Sequence, residues 1–135
     1  MSLNEYKVGI LSGAVGTERE GQIAMQQSFG RVTDEIARSF SKCYLSLPIG
    51  PDDGTKEYVL QSGNIALIPQ PYYKNTFQGV KYALNIIKAG KKLLDSSDVL
   101  FVRGTMPYLP FIYLYGNYKG KPIVQWMSAD LLTML

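Results

Sequence analysis

The residues best suited to chemistry fall in four short stretches of this 135-residue chain. The first is SGAVGTEREG, residues 12–21, directly after the apolar run KVGIL. Its glycines permit close backbone approach, and a helix opening soon afterwards would aim unpaired amides at an anion. Gly13, Ala14, Val15 and Gly16 are therefore candidates for a ligand-facing loop. A plain strand-to-helix connection is the competing reading. The spacing Gly9–Gly13–Gly16 is not the dinucleotide pattern G-x-G-x-x-G, and no G-K-[ST] follows, so this is not an ATPase phosphate loop. Glu18 and Glu20 would repel a phosphate unless Arg19 or a partner domain offsets them.

The second stretch is DVLFVRG, where Arg103 either lines a cleft or pairs with a carboxylate. The third is IVQWMSAD, whose Asp130 is either a cleft-facing carboxylate or the N-cap of a helix. The fourth is PQPYYKN, residues 69–75, where two prolines keep the chain irregular and Tyr72 and Tyr73 can stack on a sugar face. Histidine is absent. That excludes Ser-His-Asp and Cys-His catalysis and the usual zinc sites within this chain. No metal or cofactor site is expected. The lone Cys43 reads as a structural thiol, compatible with a reducing compartment and with no internal disulfide framework.

These stretches must be positioned by elements whose order is legible. Tyr6–Leu11 reads as a short buried strand. Helical spacing of Phe29, Val32, Ile36, Ala37 and Phe40 predicts a helix from about Ile23 to Phe40. Strands are expected at Cys43–Ile49 and Glu57–Leu60. Ile65–Pro69 reads as another strand or a hairpin partner, because Ser62-Gly63-Asn64 is turn chemistry. A second helix, Thr76–Leu94, puts Phe77, Val80, Leu84, Ile87 and Leu94 on one side and Lys81, Asn85, Lys88 and Lys92 on another. VLFV, residues 99–102, suits a strand covered on both faces. Pro107–Tyr118 predicts a short helix disturbed by Pro110, and Pro122–Met127 the last strand. Residues 131–135 look like the start of a further apolar element, as if the chain stops early.

Strands alternating with helices predict one α/β domain with a doubly wound, mostly parallel, Rossmann-like sheet and helices on both faces. Ligands in such sheets bind beyond the carboxyl ends of the strands, which singles out the loops after Leu11, Pro48, Val102 and Met127. The composition, 46% apolar and 19% charged, is that of a folded globular chain rather than a disordered one. A formal charge of +3 is too small to indicate a nucleic-acid partner. Residues 1–4 carry no secretory signal, and no apolar run reaches membrane-spanning length. The lysines at 81, 88, 91 and 92 form a solvated helix face or contact an anionic membrane surface or lipid-diphosphate acceptor. The tyrosines at 108, 113, 115 and 118 are expected to pack against the sheet.

KVGILSG, the helix end FGRVTDEIARSF, the strand DVLFVRG and the later GKPIVQWMSAD together resemble the amino-terminal domain of glycosyltransferases with the two-domain GT-B fold. The likeness is greatest to retaining enzymes that assemble bacterial polysaccharides. It is spread over residues 6–130. The resemblance implies that residues 1–135 are the acceptor-side half of an enzyme, with a carboxy-terminal donor-binding domain beyond residue 135. It implies transfer of a sugar from a nucleotide-sugar donor, the substrate, to a hydroxyl of a carbohydrate or lipid-linked acceptor. The chain alone should be inactive. In that family the loop Gly13–Gly16 faces the cleft near the donor phosphates, Arg103 falls where a cleft-lining polar residue is common, and Asp130 falls where a polar or acidic residue faces the acceptor. The resemblance assigns no catalytic base, for which Asp130 is the one candidate, and Tyr72 and Tyr73 join the acceptor or cleft set from the reading of their own loop. The chain departs from many members in lacking histidine near that strand end. A cytoplasmic location, at most peripheral to the membrane, is implied. The alternatives are a non-enzymatic flavodoxin- or receiver-like binding module and the nucleotide-binding domain of another nucleotide-sugar enzyme, such as an epimerase.

Overall fold

A computed structural model describes residues 5–52, 54–73, 76–103 and 108–126. Five strands form one wholly parallel sheet. They are β1 (Lys7–Ser12), β4 (Lys42–Pro48), β6 (Ile65–Gln70), β7 (Val99–Arg103) and β8 (Ile123–Trp126), in the spatial order β6-β4-β1-β7-β8. The chain runs outward from β1 to β4 and β6, then crosses back to lay β7 and β8 on the other side. The order therefore reverses between β1 and β7, as in a Rossmann-like sheet. Leu11 is in register with Val102, and Ser12 with Arg103, which in turn pairs with Trp126. The carboxyl ends of β1, β7 and β8 thus open side by side.

Alternation of side chains divides the core between the two faces. Val8 and Ile10 of β1, with Cys43, Leu45 and Leu47 of β4, pack against Phe29, Ala37 and Phe40 on the side of α1 (Gln27–Ser39). Leu11, Leu100, Val102 and Ile68 point the other way. They meet Ala89, Leu93 and Leu94 of α3 (Ala83–Ser96) and Ile112 of α4 (Leu109–Lys119). Gly9 belongs to this second face, where an added Cβ would sit 2.8 Å from Ser97 Oγ. A short α2 (Thr76–Lys81) precedes α3, and the bonds Tyr82 N–H to Gln78 O and Ile86 N–H to Tyr82 O carry the helix across the break at Tyr82.

Two departures from the expected elements matter for the site. The expected helix start at Ile23 is instead a strand. Residues 17–25 form a hairpin, β2 (Thr17–Arg19) and β3 (Gln22–Met25), and β5 (Tyr58–Val59) joins β3 to complete a small antiparallel sheet. Left-handed backbone at Glu20 (φ 53) and Gly21 (φ 79) makes the two-residue turn, whose twist matches that of the flanking strands. Residues 65–70 are not a hairpin partner. They pair in parallel with β4.

No described helix covers the β4-to-β6 crossover; hydrogen bonds to α1 anchor it instead. Asp34, wholly buried, accepts from Tyr58 Oη at 2.6 Å and from the backbone amides of Gln61 and Ser62. At the other end of α1, Asn64 Nδ2 donates to the carbonyls of Ala37 and Phe40, at 2.7 and 3.0 Å, closing the exposed carbonyls of the helix terminus.

Cys43 lies wholly buried in the α1-side core, and burial, with Asp34 nearby, pushes its thiol up to about 12. A thiol protonated this strongly is a poor nucleophile. Native protein at pH 8 should therefore resist a thiol reagent that labels it readily in urea; labelling at the free-cysteine rate in the native state would contradict the burial. The sign for stability follows from linkage. The folded value lies above the ordinary 9.0, so Cys43 supports the fold below pH 9 and that support is lost as pH rises towards 12. Urea midpoints should fall across that window, and less steeply in Cys43→Ala.

Candidate ligand site at the carboxyl edge of the sheet

The carboxyl edge gathers most of the residues singled out from the sequence. Ala14 and Val15 border a cavity of about 270 Å³ completed by Met25, Gln26, Phe29, Thr55 and Lys56. Arg103, at the end of β7, lays its guanidinium over the ring of Phe29, a residue of that wall, 4.2 Å from the centroid. Val15 and Tyr72 both stand beside Gly50. A Cβ on Gly50 would lie 2.9 Å from the Tyr72 ring and 3.0 Å from Val15 Cγ1, so the bare glycine leaves room for both side chains. The β1 loop, β7 and the segment after β6 thus converge on one edge. Tyr73 stands further along it, within electrostatic reach of Tyr108, and partial burial together with that phenol raises its pKa. Tyr108 holds left-handed backbone (φ 67), a costly geometry for an aromatic residue, where α4 begins. Asp130 lies outside the described residues.

The glycine loop is built differently from a strand-to-helix phosphate loop. It leads into the hairpin, and the helix begins only at Gln27. The Ala14 amide donates to Ser12 Oγ at 3.0 Å, and the Gly16 amide to Pro48 O at 2.9 Å, while Gly16 O accepts from Gly50. Gly16 thereby stitches the loop to the end of β4. Its Cβ would sit 3.3 Å from Ala24 O, which explains the glycine by packing. What the loop offers the cavity is a wall at Ala14 and Val15.

Polarity at the cavity comes from elsewhere. The first turn of α1 carries no acidic residue, and Gln26 makes no side-chain cap bond. Its leading amides lie beside Gln26 and Phe29 at the cavity wall, where the helix end favours negative charge. Lys56 adds a cation, reached by a connection that Arg19 holds in place. Arg19 Nε and Nη2 grip the Asp52 carboxylate at 2.9 Å each, and Nη1 donates to the Lys56 carbonyl at 3.1 Å. Arg19 therefore gives its hydrogen bonds to Asp52 and Lys56, with Glu20 only within electrostatic reach. It pins the 50–56 segment against β2 and sets Thr55 and Lys56 over the cavity. Sequence reasoning missed Thr55 and Lys56, because the pairing that brings them in spans 33 residues, and missed Gln26 and Phe29 because the helix they open was expected to begin at Ile23.

On the other face, buried Ser46 and Gln70 lie near the carboxyl ends of β4 and β6, with Gln70 Nε2 donating to Ser46 Oγ at 3.1 Å. A larger cavity, about 630 Å³, lies at the opposite, amino-terminal end of the strands between Ile36, Phe40, Val99, Phe101 and Pro122. Its walls are apolar, and the charged groups at its rim are the carboxylates of Glu35 and Asp98. It marks the part of the sheet that α1 does not cover, and lacks the convergent polar groups of a binding site. The smaller cavity, at the switch point of the sheet, is the one with chemistry. No family model, no curated protein and no solved structure matches the chain.

Proposed function

We propose that the carboxyl edge binds the phosphorylated part of a nucleotide sugar, and that the chain is the amino-terminal half of a glycosyltransferase. The single observation that supports this is the meeting of the β1 loop, the first turn of α1 and Lys56 around one cavity where the strand order reverses, with Arg103 stacked on the Phe29 ring of its wall. Glycosyl transfer develops negative charge on the leaving diphosphate, and two cations with a helix terminus are suited to stabilise it. At about 270 Å³ the cavity admits a phosphate and a sugar ring, not a whole nucleotide sugar. The remainder of the donor would then rest on a second domain. The described wall contains no carboxylate, so proton transfer is assigned to groups outside it. That same lack favours the second reading, a nucleotide-binding module with no chemistry of its own.

Titration of the labelled protein with uridine and guanosine diphosphate sugars, the bare nucleoside diphosphates and free sugars separates the readings. The amides of Ala14, Val15, Thr55, Lys56 and Arg103 should shift together with Tyr72. Lys56→Glu should weaken binding about tenfold or more, the scale of one charge-assisted hydrogen bond. Equal binding of diphosphates with and without sugar would favour the binding module. No concerted shift at roughly millimolar ligand, where affinities of even 4 kcal/mol register, would remove both readings.

A further inference from the structure

We propose that the outer face of α2, α3 and α4 is a docking surface for an anionic lipid bilayer. The sheet-facing side of α3 is Ile86, Ala89, Gly90, Leu93 and Leu94, so the stripe Phe77, Val80 and Leu84 points to solvent, at 86%, 63% and 72% exposure. On α4, Ile112 and Gly116 face inward while Phe111, Leu114 and Tyr118 are exposed at 57%, 67% and 82%. A helix apolar on both sides, left open on one, is unusual for a surface helix. The helices that carry the two stripes adjoin. Ile112 packs on Gly90, Tyr115 Oη donates to Asp95 at 2.8 Å, and Lys91 Nζ lies 5.1 Å from the Tyr115 ring centroid.

Charge selects the occupant. Lys81, Lys88 and Lys92 are exposed along one flank of the α3 stripe, Lys91 stands between the helices, and Lys119 sits over the rings of Tyr115 and Tyr118. Residues 71–126 hold eight Lys and Arg against two Asp, whereas residues 1–70 hold six against eight Asp and Glu. The chain's positive charge is therefore concentrated in the half that carries the exposed apolar groups. Of the two aspartates, Asp95 is bonded to Tyr115. A second copy meeting this face across a two-fold axis would set lysines against lysines. Lysines snorkelling at the rim of an apolar, aromatic face match the headgroup layer of an anionic leaflet. No described helix is long and apolar enough to cross a membrane, so the contact is peripheral.

The test is co-sedimentation of the full 135-residue chain with vesicles of phosphatidylcholine alone and of phosphatidylcholine with phosphatidylserine. Binding is expected only to the serine-lipid vesicles, and should weaken about tenfold or more when salt rises from roughly 0.1 M to 0.5 M. The triple variant K81E/K88E/K92E should lose binding by about tenfold or more, as should F77S/L84S. All five side chains are exposed, so the thermal midpoint should not move and loss of fold is separable from loss of binding. A tryptophan at position 84 (L84W) should shift its emission to the blue on anionic vesicles alone. Sedimentation with neither vesicle, equal sedimentation with both, or binding untouched by lysine reversal would overturn the proposal. So would a concentration-dependent dimer that F77S/L84S abolishes, which would assign the face to a second copy.

Discussion

Asp34→Ala should lower the stability of the chain by about 3 kcal/mol, a fall of roughly 10 °C in the thermal midpoint. The carboxylate is wholly buried and accepts from three donors that belong to the β5–β6 connection: Tyr58 Oη, the Gln61 amide and the Ser62 amide. Removing it leaves all three without their acceptor and opens a gap in α1. Asp34→Asn retains an acceptor oxygen but turns an NH2 group towards a donor, so it should lie between Ala and the parent. Tyr58→Phe removes one charge-assisted bond and should cost about 1.5 kcal/mol. Urea unfolding of the three variants gives the order Ala, Asn, Phe in decreasing effect. An Asp34→Ala chain within about 0.5 kcal/mol of the parent, the scatter of ordinary surface changes, would mean that the anchor does not hold the crossover. The Tyr58 hydroxyl is itself raised above its usual range, first by the bond to Asp34 and then by desolvation. Its contribution is therefore present below the ordinary tyrosine pKa and fades as pH climbs through the folded value.

The parallel strands were legible because each is an apolar run closed by a turn signal: KVGIL, CYLSLPI, VLFV and IVQWM. The strand ends at Leu11 and Val102 do adjoin, in register. What was not legible has local causes. The hairpin turns on Glu20-Gly21, which lacks the Asn-Gly signature, and Ile23, Ala24 and Met25 read as the first turn of a helix that begins at Gln27. On the second helix the apolar side divides: Phe77, Val80 and Leu84 are exposed, while Leu94 is buried. The buried side is assembled partly from Ala89 and Gly90, small because Ile112 packs against Gly90, and small residues leave a weak hydrophobic signal. Val32 likewise proved exposed, at 38%, while Thr33 and Asp34 took the interior positions of α1. The candidate site divides in the same manner. Ala14, Val15 and Tyr72 could be found from strand ends alone. Lys56 and Thr55 arrive through Arg19 and Asp52, and Arg103 through its stacking on Phe29, contacts between elements that no local pattern encodes. The Rossmann-like sheet is common to many nucleotide-binding families and does not single out the GT-B glycosyltransferase domain, whose chemistry rests on the ligand tests proposed above.

Gly30→Ala should destabilise the chain even though alanine is the better helix former. Gly30 lies inside α1, one turn before Asp34, and Tyr58 crosses the helix at this point to reach that carboxylate. A Cβ on Gly30 would meet the Tyr58 ring, with Cγ 2.9 Å and Cβ 3.1 Å away, and strand pairing of Tyr58 with Met25 limits retreat. Alanine gains about 1 kcal/mol of helix propensity. Against this stand overpacking of about 1–3 kcal/mol and, where the ring is displaced, the loss of its bond to Asp34, worth about 1.5 kcal/mol. The net loss should be about 2 kcal/mol. The sign is the informative part, because the clash and the propensity act through different groups. In a Tyr58→Ala background the ring is gone, and the same Gly30→Ala change should become stabilising by up to about 1 kcal/mol. Urea midpoints for the four members of this cycle measure the coupling. If Gly30→Ala stabilises the parent chain, the tyrosine does not lie across α1, and the small sheet is not anchored through it.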